Sequence, residues 1–203
     1  MHRYESRFER WRPVPGQGWR RESGDPADAG GLLFDPGSHL IDQALVLWGP
    51  VRRVYAEVER RRPGVAVDDD AFVALEHASG VRSHLCGPAR GRGRRPANAG
   101  AGEPRRVREA RAGRAGSGDP RRRAPGTGMG EEPEARWGRL SAGEDWTPVR
   151  TEPGDWPAYY AGIAAALRKG GPPPVDPGDA VAGLRVIEAA RRSAAEHGVI
   201  ALA

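Results

Sequence analysis

The segment from Gly87 to Gly128 limits most strongly how this chain can fold. Its 42 residues include 12 Arg, 10 Gly, 8 Ala and 5 Pro, and Val107 is its only large aliphatic residue. Burial of so little apolar surface cannot offset the conformational entropy that ordering the segment would cost. We therefore predict that residues 87–128 are disordered and that the residues on either side supply the hydrophobic core.

The same segment changes what the charge of the chain implies. The whole sequence has 32 basic and 27 acidic residues and a pI near 10.1, values typical of proteins that bind nucleic acid. The segment alone contains 12 basic and 3 acidic residues, which leaves 20 basic and 24 acidic residues elsewhere. The remainder is a mildly acidic protein, and nucleic acid is not its expected partner.

Residues 1–86 and 129–203 are predicted to form two parts of one domain, because 203 residues suffice for a single core. Cys86 is the only cysteine, so no disulfide can form within the chain. No signal peptide follows Met1, since residues 2–12 are polar and charged, and no apolar run is long enough for a membrane span. These features predict a cytoplasmic protein that does not enter a membrane.

Four segments have the alternation of apolar and polar residues that is typical of half-buried strands. They are residues 4–8, 53–59, 72–77 and 81–85. The turn sequences Pro63-Gly64 and Ser79-Gly80 separate the last three segments, which indicates an antiparallel meander. Because one face of such a sheet has to be covered, the sequence predicts an α+β fold. Helices would pack on one face of a mainly antiparallel sheet that the disordered segment interrupts.

Three helices are predicted from capping residues and apolar periodicity. The first begins at Ser38 and ends near Trp48, the second follows Asp155, and the third follows Asp176. The residues predicted to form the buried side of the second helix are Tyr159, Tyr160, Ile163 and Leu167. Those predicted to form the apolar stripe of the third helix are Val181, Leu184, Ile187 and Ala190.

The residues with catalytic potential lie in the stretch GGLLFDPGSHLID, from Gly30 to Asp42. Asp35 lies in the loop that enters the first helix, His39 in its first turn, and Asp42 one turn further along. The positive end of the helix dipole favours a neutral imidazole that can accept a proton, and a nearby carboxylate can orient the ring. The pattern fits a catalytic base with an orienting acid. It also fits an aspartate that caps the loop beside an ordinary surface histidine.

Three stretches of the chain carry a resemblance to a known family. They are GGLLFDPGSHLIDQALVLWGPVRRVYAEV, VDDDAFVALEHASGVRSHL and PVDPGDAVAGLRVIEAARRSA. Over residues 1–86 and 129–203 the chain resembles the C-terminal domain of the Gfo/Idh/MocA family of NAD(P)-dependent oxidoreductases. The resemblance implies a Gly-rich loop that leads through D-x-G-x-H-x-x-D into a helix beneath a large antiparallel sheet. It also implies a sugar, cyclitol or related polyol as substrate, and a homo-oligomer formed through the sheet.

By this resemblance, Asp35 and His39 are the two active-site residues of the chain. His39 would take the hydroxyl proton of the substrate while a hydride leaves the adjacent carbon for NAD or NADP. The family holds that cofactor in a Rossmann domain with a G-x-G-x-x-G loop and an E-K-P lysine. Neither precedes Met1, and Lys169 is the only lysine. We therefore expect a truncated product without cofactor-binding residues, which alone is inactive and binds no NAD or NADP.

Two other functions remain open from the sequence. One is a non-enzymatic remnant or assembly domain, which pairs with another subunit through its sheet. The other is an RNA-binding protein, since disordered Arg/Gly tracts bind phosphates, although residues 87–128 lack the Phe or Tyr that stack on bases. The whole chain has 31 Arg and one Lys. That ratio and the segment's composition also suit GC-rich DNA translated out of frame, which is a hypothesis about the gene.

No metal site is predicted from the sequence. His77 and His84 lie in strand patterns and His197 lies near a helix end, and none of them has clustered partners. The run Asp68–Asp70 lacks the alternating ligands of a calcium loop. We interpret it as a solvated turn that leads into a strand.

Overall fold

The computed structural model describes residues 2–8, 22–87, 98–101, 105–108, 131–142 and 145–202. Within these ranges the chain forms one nine-stranded sheet and three helices. The helices are α1 (Pro36–Trp48), α2 (Trp156–Lys169) and α3 (Pro177–Glu196). The strands are β1 (Arg3–Arg7), β2 (Val51–Glu59), β3 (Asp70–His77), β4 (Arg82–Cys86), β5 (Asn98–Ala101), β6 (Arg105–Arg108), β7 (Gly138–Ala142), β8 (Asp145–Val149) and β9 (Ile200–Ala201). The predicted α+β fold is confirmed.

The order of strands across the sheet is β8-β7-β6-β5-β1-β4-β3-β2-β9. Among the described strands, neighbours are antiparallel except for β1 and β4, which are parallel. The predicted meander is confirmed, because β2 pairs with β3 and β3 pairs with β4. The parallel pair was not predicted, since the alternation of apolar residues marks the buried face and not the direction of the neighbouring strand.

Helices α1 and α3 cover one face of the sheet and form the core with it. Helix α3 lies on β2 and β9, and α1 lies against α3 and β4. Residues along β3 alternate between buried and half-exposed, so this strand has one face in the core. The core includes Tyr4, Leu33, Ile41, Ala44, Val54, Leu75, Val186 and Ile187. Burial of each large aliphatic side chain contributes roughly 1.5–3 kcal/mol to stability.

Helix α1 begins two residues before the predicted cap, Ser38. Pro36 occupies the first turn, where its fixed φ suits a helix, and Asp35 is the N-cap residue. The hydroxyl of Ser38 donates instead to the backbone oxygen of Asp35 at 3.0 Å. The helix ends as predicted at Gly49, whose φ of 79° favours glycine.

The caps of α2 and α3 are as predicted, but the predicted buried side of α2 is wrong. Asp155 accepts a hydrogen bond from the Ala158 N–H at 3.0 Å, and Asp176 accepts one from Gly178 at 2.8 Å. No residue of α2 is buried. On α3, Ile187 is buried as predicted, whereas the earlier part of the stripe is exposed. Apolar periodicity indicates that a helix face needs a partner without saying which part of a protein supplies it.

Strands β5 and β6 fall inside the segment that we predicted to be disordered. Strand β5 pairs with β1, and β6 pairs with both β5 and β7. Backbone hydrogen bonds can extend a sheet where side chains offer little apolar surface, which the composition of residues 87–128 does not reveal. Apart from Gly87 and these two strands, the segment lies outside the described residues. Along the part of the chain described, no helix is long and apolar enough to cross a membrane.

Candidate functional site

The loop from Gly30 to Asp35, which leads into α1, is held by Asp68. The Leu33 N–H donates to the Asp68 carboxylate at 2.7 Å, and the Leu32 N–H donates to the Asp68 backbone oxygen at 3.0 Å. Leu33 is itself buried in the core. The buried Leu33 and its hydrogen bond to Asp68 therefore hold the loop, and with it the start of α1, in place.

Gly31 is required where the loop passes Asp68. Its φ of +100° lies outside the range that residues with side chains prefer. A Cβ atom there would lie 2.7 Å from the Asp68 Cγ and 3.0 Å from its Oδ2, closer than nonbonded carbon and oxygen atoms approach. The glycine therefore provides the space that the Asp68 carboxylate fills.

Arg191 on α3 joins the same group of contacts. Its guanidinium carbon lies 5.7 Å from the centre of the Phe34 ring, a distance suited to a cation–π interaction. Burial raises the pKa of Asp68, while hydrogen bonds from the backbone of Leu33 and Leu32 and the charge of Arg191 act in the opposite direction. The loop is thus attached to α3 as well as to the segment before β3.

Asp35 and His39, the two predicted site residues, lie at the N-terminal end of α1. Asp35 is half-buried, and its side chain makes no capping hydrogen bond to the helix. His39 is exposed on the side of the helix opposite the buried Leu40 and Ile41, and Asp42 is exposed one turn further on. Residues four apart on a helix have Cβ atoms about 5–6 Å apart. His39 is therefore an exposed histidine with a carboxylate one helical turn before it and another one turn after it.

Asp69, predicted to lie in a solvated turn, is instead buried in an ion pair. Its carboxylate accepts hydrogen bonds from the Arg61 N–H at 2.6 Å, the Arg62 N–H at 2.9 Å and Arg62 Nε at 2.7 Å. The other end of the guanidinium reaches Glu22 at 3.0 Å. Burial acts to raise the pKa of Asp69, but these donors together hold it below its usual value. The sequence Asp68–Asp70 alone did not indicate that Arg62 is the partner of Asp69.

Asp70 is paired with a different arginine. Arg61 Nε contacts its carboxylate, and Arg61 Nη2 lies 2.7 Å from Glu59. Burial raises the pKa of Asp70 and the charge of Arg61 lowers it. In the described ranges, no group of three or more His, Cys, Asp or Glu side chains is arranged to hold a metal ion. The run Asp68–Asp70 anchors three different neighbours.

His77 has a structural role in the hairpin that follows. It is 1% exposed, with Nδ1 2.7 Å from the Gly49 oxygen and Nε2 2.8 Å from the Ser83 hydroxyl. Since a carbonyl can only accept, Nδ1 carries the proton and Nε2 accepts from Ser83. Burial lowers the pKa of His77. The neutral ring joins the end of α1 to β3 and β4.

Asp68 and Arg191 are the site-supporting residues that sequence reasoning missed. Asp68 lies 35 residues from Leu33, and Arg191 lies in a distant helix. The available signal was the pair Gly30-Gly31 before an apolar loop, since adjacent glycines often mark a close approach of the backbone to another group. The sequence does not say which group approaches.

The loop at Gly31 does not fit the phosphates of a dinucleotide. Such a cofactor usually lies on a Gly-rich turn between a strand and a helix. The loop at Gly31 instead follows a short 3₁₀ turn, Pro26–Asp28, and the space beside Gly31 is filled by the carboxylate of Asp68. A carboxylate repels phosphate, so this loop is not a phosphate cradle.

Comparison with known proteins decides the family. The model of the GFO/IDH/MocA C-terminal domain matches residues 1–115, more than half of the chain. The chain belongs to this family. The match continues past Gly87 and includes β5 and β6, whereas the sequence resemblance extended only to residue 86 before resuming at residue 129.

Several longer proteins are similar to the chain. The uncharacterized oxidoreductase YdgJ of Escherichia coli is 30% identical over 98% of the chain and 58% of its own length. The scyllo-inositol 2-dehydrogenase (NADP(+)) IolW of Bacillus subtilis is 29% identical over 100% of the chain and 57% of its own length. The solved structure of the Bacillus subtilis protein YvaA, described as an oxidoreductase, has a TM-score of 0.83 and 27% identity, with 100% of the chain and 58% of YvaA covered. The chain thus spans somewhat more than half of each relative.

Proposed function

We propose that this chain is the substrate-binding C-terminal part of an NAD(P)-dependent oxidoreductase that acts on a sugar, a cyclitol or a related polyol. Membership of the family supports the class of reaction. The similarity to IolW, a scyllo-inositol 2-dehydrogenase, supports the class of substrate. We further propose that the protein acts in the cytoplasm.

The observation that carries this proposal is the anchored loop at the start of α1. Asp68 fixes the loop through Leu33, and the loop places Asp35 at the N-cap of α1, one turn before the exposed His39. In the proposed reaction His39 Nε2 or Nδ1 accepts the proton of a substrate hydroxyl, and Asp35 orients the imidazole. Because His39 lies on a helix, little conformational entropy is lost when it is positioned against a bound polyol.

The cofactor of the proposed reaction, NAD or NADP, would be held by another part of the enzyme. The filled space at Gly31 supports this division. We expect the purified 203-residue chain to show no saturable binding when NADPH is titrated and its fluorescence is followed. Saturable binding that the variant Gly31→Ala abolishes would contradict this division.

The test of function is a fusion of the full chain behind the part of IolW that it does not match. We expect polyol-dependent reduction of NADP⁺, followed by the absorbance of the reduced nicotinamide. His39→Asn should lower kcat by about 100-fold or more, the usual contribution of a general base. Gln43→Ala, on the same exposed side of α1, is the matched control and should leave kcat unchanged.

An alternative role in assembly is favoured by the other face of the sheet. There Phe72 and His84 lie half-exposed on neighbouring strands with ring centres 5.8 Å apart, and Arg53 lies 3.8 Å from Glu76. An apolar centre with charged surroundings is typical of an interface between subunits. Light scattering should show that Phe72→Asp lowers the mass of the particle in solution, while Asp42→Asn does not. A mass that stays the same would exclude this face as the interface.

A further inference from the structure

Phe34 lies between two fixed points of the candidate site loop. On one side of it, the Leu33 N–H donates to the Asp68 carboxylate at 2.7 Å. On the other side, the Asp35 N–H donates to the Gly31 oxygen at 3.1 Å. The half-buried side chain of Phe34 packs against the hydrophobic core with only part of its surface. Because Phe34 and Asp35 share a planar peptide bond, a shift of Phe34 moves Asp35 as well.

The guanidinium of Arg191 lies over the ring of Phe34. Its carbon is 5.7 Å from the ring centre, within the range over which an aromatic face attracts a cation. Within the described ranges, Arg191 donates no hydrogen bond and forms no ion pair. The contact with the ring is therefore the interaction that a substitution of Arg191 removes most directly.

The backbone of Arg191 is fixed by the core, so its side chain reaches the loop from a rigid position. Ala190 is 0% exposed, and Ile187, one turn before Arg191, is 3% exposed. Two residues later, the Ser193 hydroxyl accepts a hydrogen bond from the Ala56 N–H of β2 at 2.9 Å. A side chain on a packed helix is positioned more precisely than one on a loop.

The charge of Arg191 supports the loop a second time, through Asp68. Burial raises the pKa of Asp68, and the charge of Arg191 counteracts that effect. An ionised carboxylate accepts a stronger hydrogen bond than a protonated one, here from the Leu33 N–H. Arg191 thus acts on Leu33 through Asp68 and on Phe34 directly.

We propose that Arg191 is a positioning residue for the proposed reaction, because its contact with Phe34 holds Asp35 and the start of α1 that carries His39. This inference rests on the proposed function. Arg191 acts through Phe34 and does not itself have to touch the substrate. Its loss should therefore lower the fraction of molecules in which Asp35 and His39 are placed for proton transfer.

The variants Arg191→Ala and Arg192→Ala form a matched pair. Arg192 lies about 100° further around α3, and its Nε lies 3.2 Å from Glu196. In the free chain, hydrogen–deuterium exchange of residues 31–35 should be about two- to fivefold faster in Arg191→Ala, as expected when a partly exposed cation–π contact is lost. It should be unchanged in Arg192→Ala. Unchanged exchange in Arg191→Ala, or an equal increase in both variants, overturns the proposal.

Kinetics of the IolW fusion separate positioning from a purely structural role. Arg191→Ala should lower kcat by about two- to fivefold and change the KM for the polyol by less than about twofold, since a contact with the substrate is not lost. Arg191→Lys keeps a cation that can lie over the ring and should retain most of kcat. Arg191→Gln has no charge and should lose as much kcat as Arg191→Ala. Equal values of kcat for the Lys and Gln variants overturn the proposal.

The outcomes also separate this proposal from the proposed function. A fusion that binds NADPH but oxidises no polyol contradicts the proposed function, and exchange in the free chain still decides whether Arg191 holds the loop. Polyol oxidation with kcat unchanged in Arg191→Ala contradicts only the positioning role of Arg191.

Discussion

Replacing Gly31 with alanine tests the contact that holds the candidate site loop. At a φ of +100° the new side chain is strained, at a cost of about 1–3 kcal/mol. Its Cβ would also displace the Asp68 carboxylate, whose Cγ lies 2.7 Å away. Loss of the hydrogen bond from the buried Leu33 N–H to that carboxylate costs about 1.5–3 kcal/mol. Gly31→Ala should therefore lower the free energy of unfolding by about 3–5 kcal/mol.

A double-mutant cycle with Asp68→Ala separates the two contributions. Asp68→Ala removes the atoms that clash and loses the same hydrogen bond, at about 2 kcal/mol. In the double variant that bond is lost once, so its total cost should be close to that of Gly31→Ala alone, with a coupling of about 2 kcal/mol. Urea unfolding followed by tryptophan fluorescence measures each free energy. If the two costs add to within about 0.5 kcal/mol, the Asp68 carboxylate does not hold the loop through Leu33.

Three further predictions concern the buried polar groups. Ser193→Ala should lower the free energy of unfolding, measured in urea, by about 1–3 kcal/mol. The Ser193 hydroxyl is fully buried and accepts a hydrogen bond from the Ala56 N–H at 2.9 Å. Asp69→Asn should lower the free energy of unfolding by about 1–3 kcal/mol, because the buried Arg62 loses one of its two carboxylate partners and keeps Glu22, whereas exposed Asp42→Asn should lower it by under about 0.5 kcal/mol. Burial lowers the pKa of His77, so its stabilising contribution is present above the unfolded pKa near 6.5 and is lost as pH falls through the folded pKa. Between about pH 7.5 and about pH 5.5, the unfolding midpoint of His77→Gln should therefore fall less than that of the unsubstituted chain. An equally steep fall in both proteins would contradict the burial of a neutral ring.

The elements with a local signal were predictable from the sequence. The meander of β2, β3 and β4 was visible because apolar residues alternate and glycine turns separate them. The N-cap residues Asp155 and Asp176 were predictable because each aspartate lies just before a proline-containing first turn and a series of periodic apolar residues. Alternation, turns and caps each depend on residues that are close together in the sequence, so the sequence is enough to predict them.

Features that join distant parts of the chain were not predictable. Strands β5 and β6 pair with β1 and β7, which lie outside their own segment. In sequence, α2 resembles a helix that is buried in a core. Its apolar periodicity does not specify which part of a protein would cover it. At the candidate site, the pattern indicated Asp35 and His39 as candidates, but not that Asp68 holds their loop, since 35 residues separate Asp68 from its partner Leu33.

The position of β1 also has a consequence for the order of folding. Among the described strands, β1 alone joins the β2–β4 meander to the strands β5–β8. It pairs with β4 from Arg3 opposite Arg82, across a long stretch of chain. During synthesis, the residues of β1 therefore cannot find their place in the sheet until residue 86 has also been made. Loop closure over that length is slow, and until it occurs the two halves of the sheet have no shared strand.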